Sequence, residues 1–194
     1  VETMAFDPAQ GIARLEQHLE RMKQSADLLE YEFDRHGARN AIQAISFHQD
    51  APAKLRLMLA KSGAIAIELS PMPAALTQPV KVKLCNMTAD ARDYRLRHKT
   101  SDRRVYQADT GPEEHPVFLD NEGFVTEGAI WNIFVERGGK LCTPPLSRGL
   151  LPGILRAEMI ADGRAVEADL RAEDLANGFI LGNSLRGLVS AKLV

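Results

Sequence analysis

The chain has 194 residues, 45% of them hydrophobic and 26% charged, with a formal net charge of -2. That is the composition of an ordinary globular protein, long enough for one large domain or two small ones. The near-neutral balance gives no support to a nucleic-acid partner. Every apolar run breaks well short of the roughly 18 residues a membrane-spanning helix needs. Two cysteines, Cys85 and Cys142, lie far apart and fit no metal spacing, which suits a reducing, cytoplasmic setting.

The chain opens on Val1 to Phe6, which reads as a strand already under way without an initiator Met. That start leaves room for a missing or trimmed first segment, and no basic and apolar leader is visible in it. Asp7-Pro8-Ala9-Gln10-Gly11 is a turn by its Pro and Gly content. Leu15, Leu19, Met22, Ala26 and Leu29 then fall at spacings of three and four, which predicts a helix over 12–29. Asp34 is placed to cap a second helix over about 35–49. Leu55, Leu57 and Leu59 alternate with Lys54, Arg56 and Met58, Ser62-Gly63 turns, and 64–69 alternates again, so a hairpin is expected. Val80 to Cys85 is a further strand. These elements predict a small α+β domain over 1–86, followed by a polar linker over 87–95.

The second domain is predicted over 96–194. Ser101 or Asp102 can cap a helix over about 103–108. Strands are expected at 117–120 and 124–126, around Asn121-Glu122-Gly123. Strands 132–136 and 140–143 pair across Gly138-Gly139, a turn that favours glycine at positive φ. Pro152-Gly153 opens a helix reaching about Ala161, with proline accommodated in the first turn. A short strand at 165–168, a helical turn at 171–176 and strands at 179–181 and 188–193 complete the chain, with no internal repeat.

Few residues announce chemistry alone. Lys99, among Arg95, Arg97, Arg103 and Arg104, reads first as a solvated charge, although cationic neighbours favour the free, nucleophilic amine. Glu127, in Thr-Glu-Gly, reads first as a solvated edge residue. Gly153-Ile154-Leu155 offers backbone N–H groups and the positive end of a helix dipole, which together suit an anion. Arg21 lies beside the apolar stripe of the first helix, where it can serve either a rim salt bridge or an anion, since its guanidinium stays charged and donates bidentately. The five histidines are dispersed, and no GxGxxG or Walker pattern occurs.

Taken together, Arg97-His98-Lys99-Thr100-Ser101-Asp102-Arg103, Glu127-Gly128-Ala129-Ile130-Trp131-Asn132-Ile133-Phe134 and Leu150-Leu151-Pro152-Gly153-Ile154-Leu155-Arg156 resemble the class IV aminotransferase family. The resemblance runs from Glu2-Thr3 to about Ala191. It implies the two-domain fold type IV of enzymes that use pyridoxal 5'-phosphate (PLP), with a small N-terminal α/β domain and a larger β-rich one. It also implies that Lys99 binds PLP covalently and shuttles protons, and that Glu127 faces the pyridine nitrogen. By the same match Gly153, Ile154, Leu155, Asn183, Ser184 and Arg21 serve the cofactor and its phosphate. Many members carry Thr where this chain has Leu155, so one hydroxyl is absent here. Thr3, Arg97 and Arg186 are candidate substrate contacts.

Within the family, Leu181-Gly182-Asn183-Ser184-Leu185-Arg186-Gly187 and the compact run Arg156 to Ala165 look like the 4-amino-4-deoxychorismate lyases. Branched-chain aminotransferases usually have a tyrosine at the position of Arg104 and Gly-Thr at Asn183-Ser184. The implied reaction yields 4-aminobenzoate and pyruvate for folate synthesis, with an aminotransferase as the second reading. A catalytically silent relative acting as a subunit or binding module is the reading of another class. Family members are usually homodimers, so a homodimer acting on a small amino substrate is expected.

Overall fold

The computed structural model describes all 194 residues and divides into two compact units, Val1–Ala75 and Leu76–Val194. In the first unit, β1 (Glu2–Asp7), β2 (Gly11–Ile12), β3 (Ala53–Leu59) and β4 (Ile65–Pro71) form an antiparallel sheet in the order β2-β1-β3-β4. Burial alternates along β1 and β3, the period-two pattern of strands with one covered face. Two helices, α1 (Leu15–Leu29) and α2 (Arg35–Ser46), supply the cover. Leu19 and Met22 of α1 and Ala38 and Ile42 of α2 pack with Met4, Leu55 and Leu57 of the sheet. The Asp34 side chain accepts from the Gly37 N–H at 2.9 Å, the expected cap. The helix expected from residue 12 starts later, because Ile12 pairs with Phe6 as β2 before the chain turns into α1.

The second unit is a closed sheet. It contains β5 (Val80–Asn86), β6 (Glu114–Leu119), β7 (Val125–Gly128), β8 (Trp131–Arg137), β9 (Lys140–Thr143), β10 (Ala165–Glu167), β11 (Phe179–Asn183) and β12 (Gly187–Leu193). Their order is β10-β9-β8-β11-β12-β5-β6-β7, and β7 returns to pair with β8. Six strands therefore close a ring, from which β9 and β10 branch at β8. Val82, Val117, Val125, Trp131, Ile133, Leu181 and Ala191 form the largest apolar cluster. On the opposite face of β8, Phe134 packs with Leu155 and Met159 of α4 (Ile154–Ala161). Gly138 and Gly139, at φ of 58° and 79°, make the β8–β9 turn as their sequence foretold.

Strand β5 corrects the sequence reading of the boundary. Residues 80–86 were assigned to the first domain, yet β5 pairs in parallel with β12 and β6 and belongs to the second unit. The reason is nonlocal: its partners lie about 30 and 110 residues downstream, beyond the reach of local periodicity. The expected linker over 87–95 is also partly ordered, ending in a helical turn, α3 (Tyr94–Arg97), capped by Asp93. The helix expected over 103–108 is a single 3-10 turn, Arg104–Tyr106.

Candidate active site

Glu127 is the centre of the site. It is the third residue of β7, paired across to Asn132 of β8, and it is buried. The Tyr106 hydroxyl donates to its Oε1 at 2.6 Å and the Leu151 N–H donates to its Oε2 at 3.1 Å. Burial pushes the carboxyl up to about 7, although those two bonds and the charges of Arg103 and Lys99 pull the other way. The charge of Lys99 bears on Glu127, as the smallest of these influences. Lys99 itself is half-buried, just after α3.

The other cations near Lys99 have their own partners. Arg95 holds Asp93 through Nε and a terminal nitrogen, and Arg104 holds Asp102 in the same way. Arg97 is exposed and donates from Nε to the Ala91 carbonyl. The Arg103 guanidinium lies 3.9 Å from the Tyr106 ring centre and donates to the Ala129 carbonyl. Arg95 and Arg104 are thus compensated by carboxylates, whereas the bonds of Arg97 and Arg103 go to carbonyl oxygens.

The helix that follows is set by close backbone approach. Gly153 is the N-cap of α4, and no side chain caps that end. A Cβ on Gly153 would lie 1.8 Å from Asn132 Oδ1. Asn132 in turn donates from Nδ2 to the Leu151 carbonyl at 3.2 Å. Asn132 therefore joins β8 to the segment that carries both the N–H on Glu127 and the first turn of α4. The N–H groups of Ile154 and Leu155 lie in that first turn, where an α-helix has no internal acceptor for them. Both side chains are buried, so each is also packing.

Asn183 ends β11, and its side chain is engaged in shaping the loop. Oδ1 accepts from the N–H groups of Leu185 and Arg186 at 3.0 and 2.8 Å, and Nδ2 donates to the Ile130 carbonyl at 3.1 Å. Ser184 and Arg186 are half-buried on that loop. Lys99, Glu127, Gly153, Ile154, Leu155, Asn183, Ser184, Arg97 and Arg186 all belong to the second unit, while Thr3 and Arg21 belong to the first. Thr3 faces Arg56 in the β1–β3 register. Arg21 grips Glu2 bidentately, Nε to Oε1 at 2.9 Å and a terminal nitrogen to Oε2 at 2.6 Å.

Sequence reasoning missed Tyr106, Arg103 and Asn132. Asn132 left a signal: a lone amide inside Trp131-Asn132-Ile133-Phe134-Val135 has to find a partner once buried. Tyr106 left none, because a tyrosine in a short turn reads as packing. A cavity of about 350 Å³ in the second unit lies against Met87 to Ala91, Asp120 to Glu122, Ser147 and Arg148. None of the candidate residues lines it.

The second unit thus carries a buried acid, a half-buried lysine whose charge bears on it, and an uncapped helix start joined to that acid through Leu151. The family is settled by comparison: the profile of amino-transferase class IV matches residues 1–194, and the chain belongs to that family. Its members are PLP-dependent lyases and aminotransferases. A Schizosaccharomyces pombe protein provisionally named aminodeoxychorismate lyase is 28% identical over 93% of this chain and 84% of its own length. A Mesorhizobium loti structure, provisionally named an amino-acid aminotransferase, is 34% identical with a TM-score of 0.88, covering 100% of this chain and 98% of that one. A hypothetical aminotransferase from Mycobacterium tuberculosis, solved with alpha-ketoglutarate and PMP bound, has a TM-score of 0.82 at 21% identity, covering 99% of this chain and 80% of that one.

Proposed function

We propose that the chain is a PLP-dependent lyase that converts 4-amino-4-deoxychorismate into 4-aminobenzoate and pyruvate. Glu127 carries the cofactor part of the reading: it is a buried carboxylate anchored by Tyr106 and Leu151 within reach of the Lys99 charge. The residues present fit the cofactor. Close packing of Gly153 against Asn132 leaves the start of α4 without a side-chain cap, as an anion site requires. Similarity to the S. pombe protein over nearly the whole chain, together with Asn183-Ser184-Leu185-Arg186-Gly187, supports the lyase.

When bound, PLP supplies an electron sink for negative charge developing on the substrate. The chain's own groups then have distinct tasks. Glu127 would accept from the ring nitrogen of the bound cofactor and so favour its protonated form. The N–H groups of Ile154 and Leu155 and the Ser184 hydroxyl take the phosphate, on a loop that Asn183 shapes. Lys99 Nζ would hold the cofactor, and as a free amine it would take a proton from the substrate ring. As that proton leaves, the ring becomes aromatic, and the C–O bond to the enolpyruvyl group breaks. The departing group takes up a proton and leaves as pyruvate. Arg186 offers a cation to a substrate carboxylate. Roles for Arg97, Thr3 and Arg21 follow from the resemblance alone. A cytoplasmic homodimer completes the proposal; no helix here is long and apolar enough to cross a membrane.

An aminotransferase is the second reading, favoured by the M. loti structure. Purified protein mixed with PLP is expected to gain a visible absorbance band that Lys99→Ala abolishes. Added 4-amino-4-deoxychorismate should then release pyruvate, read through lactate dehydrogenase. Absence of pyruvate, with amino exchange between glutamate and a branched keto acid, would overturn the lyase in favour of the aminotransferase. A protein that takes up no PLP would overturn both.

A further inference from the structure

We propose that Tyr106 is a positioning residue that holds Glu127 as an anion turned toward the cofactor's ring nitrogen, an inference that rests on the PLP reading above. The geometry gives each oxygen of Glu127 a donor. Oε2 accepts from the Leu151 N–H, a backbone group that cannot itself accept. Oε1 accepts from the Tyr106 hydroxyl at 2.6 Å. While that hydroxyl donates, both oxygens are acceptors, which is the pattern of a carboxylate. Their remaining lone pairs are then available to a third donor.

Tyr106 is itself held in place. It is buried, its ring lies under the Arg103 guanidinium, and its edge meets Phe118 with ring centres 5.8 Å apart. Arg103 is tied back to the Ala129 carbonyl, two residues beyond Glu127. Burial and the neighbouring carboxylate hold the Tyr106 phenol well above its ordinary range, so it remains a donor across the working pH of an enzyme. The charged and titratable groups bearing on Glu127 are Tyr106, Arg103 and Lys99. Among them Tyr106 alone is neutral and touches an oxygen directly. Without its hydroxyl, burial goes less opposed and Glu127 competes harder for the pyridinium proton.

The test reads the ring nitrogen directly, using PLP labelled with ¹⁵N and bound to the purified protein. The wild-type nitrogen is expected at the protonated chemical shift from pH 6 to 8. Tyr106→Phe is expected to move it toward the unprotonated position within that range. The chain has three tyrosines. Protein carrying Tyr31→Phe and Tyr94→Phe, grown on 3,5-difluorotyrosine, therefore has a stronger donor at 106 alone. It should keep the protonated shift to higher pH than wild type, and it serves if Tyr106→Phe does not fold. Identical shifts in wild-type, Tyr106→Phe and fluorinated protein would overturn the inference while leaving the cofactor reading intact. Wild-type protein that binds no labelled PLP would overturn that reading, and the inference with it.

Discussion

Two buried glutamates show how much a residue's chemistry depends on its neighbours. Burial raises Glu2, but the charge of Arg21 and the bonds from His18 and Arg21 outweigh it and hold the carboxyl at about 2. Glu127 is buried as deeply with weaker compensation and lies at about 7. The two depart from the ordinary 4.5 in opposite directions, so their contributions to stability occupy different pH windows. Glu2 binds fewer protons folded than unfolded, so its contribution is present above pH 4.5 and lost as pH falls toward 2. Glu127 binds more protons folded, so its contribution is present below pH 4.5 and lost as pH rises through 7. In urea unfolding of cofactor-free protein the Glu127 contribution should therefore fall between pH 4.5 and 7, against a rise from His98 and His115, which burial holds below the ordinary imidazole range. Glu127→Gln should remove that fall, so that its stability relative to wild type grows between pH 4.5 and 7. An unchanged slope in the variant would show that Glu127 titrates normally. The local run Thr-Glu-Gly reads as a solvated edge, and the partners that hold the buried carboxyl, Tyr106 and Leu151, are 21 and 24 residues away.

At the scale of elements, whatever depends on neighbours in sequence was readable. The β3–β4 hairpin followed from alternating leucines, the Asp34 cap from its side chain, and the β8–β9 turn from paired glycines. The start of α4 was readable too, but not why residue 153 has to be glycine. That reason lies across the sheet, where Asn132 Oδ1 occupies the space of a Cβ. Gly153→Ala is expected to displace the Asn132 side chain and break its bond to the Leu151 carbonyl, at a cost of about 1–3 kcal/mol. Because Leu151 also supplies an N–H to Glu127, PLP affinity should fall as well. Adding Asn132→Ala should recover part of the stability, since it removes the clashing atom, and should recover little of the affinity. A double-mutant cycle of Tm and PLP titration measures both. Full additivity would mean that the two residues do not share the space inferred for them.

At the scale of the whole molecule, the strand order decides where one unit ends. A reading of local pattern closes the first domain at residue 86, because β5 follows β3 and β4 as another strand of similar length. Pairing moves the division to between Ala75 and Leu76. Strand β5 stands between β12 and β6, and without it the six-stranded ring opens. Val80 and Val82 would leave the main apolar cluster. At about 1.5–3 kcal/mol for each buried valine, their loss alone removes about 3–6 kcal/mol. The ladder bonds of two parallel pairings are lost as well. That is comparable with the roughly 5–15 kcal/mol that keeps a domain folded. A fragment of residues 76–194 is therefore expected to show native-like far-UV circular dichroism and a cooperative thermal transition. A fragment of residues 87–194 is expected to lack that transition. Addition of a synthetic peptide of residues 76–88 to the shorter fragment should restore part of the signal, because the vacant place presents two unpaired strand edges. Equal cooperativity in the two fragments would show that the ring does not need β5 and that the boundary at residue 86 was the physical one.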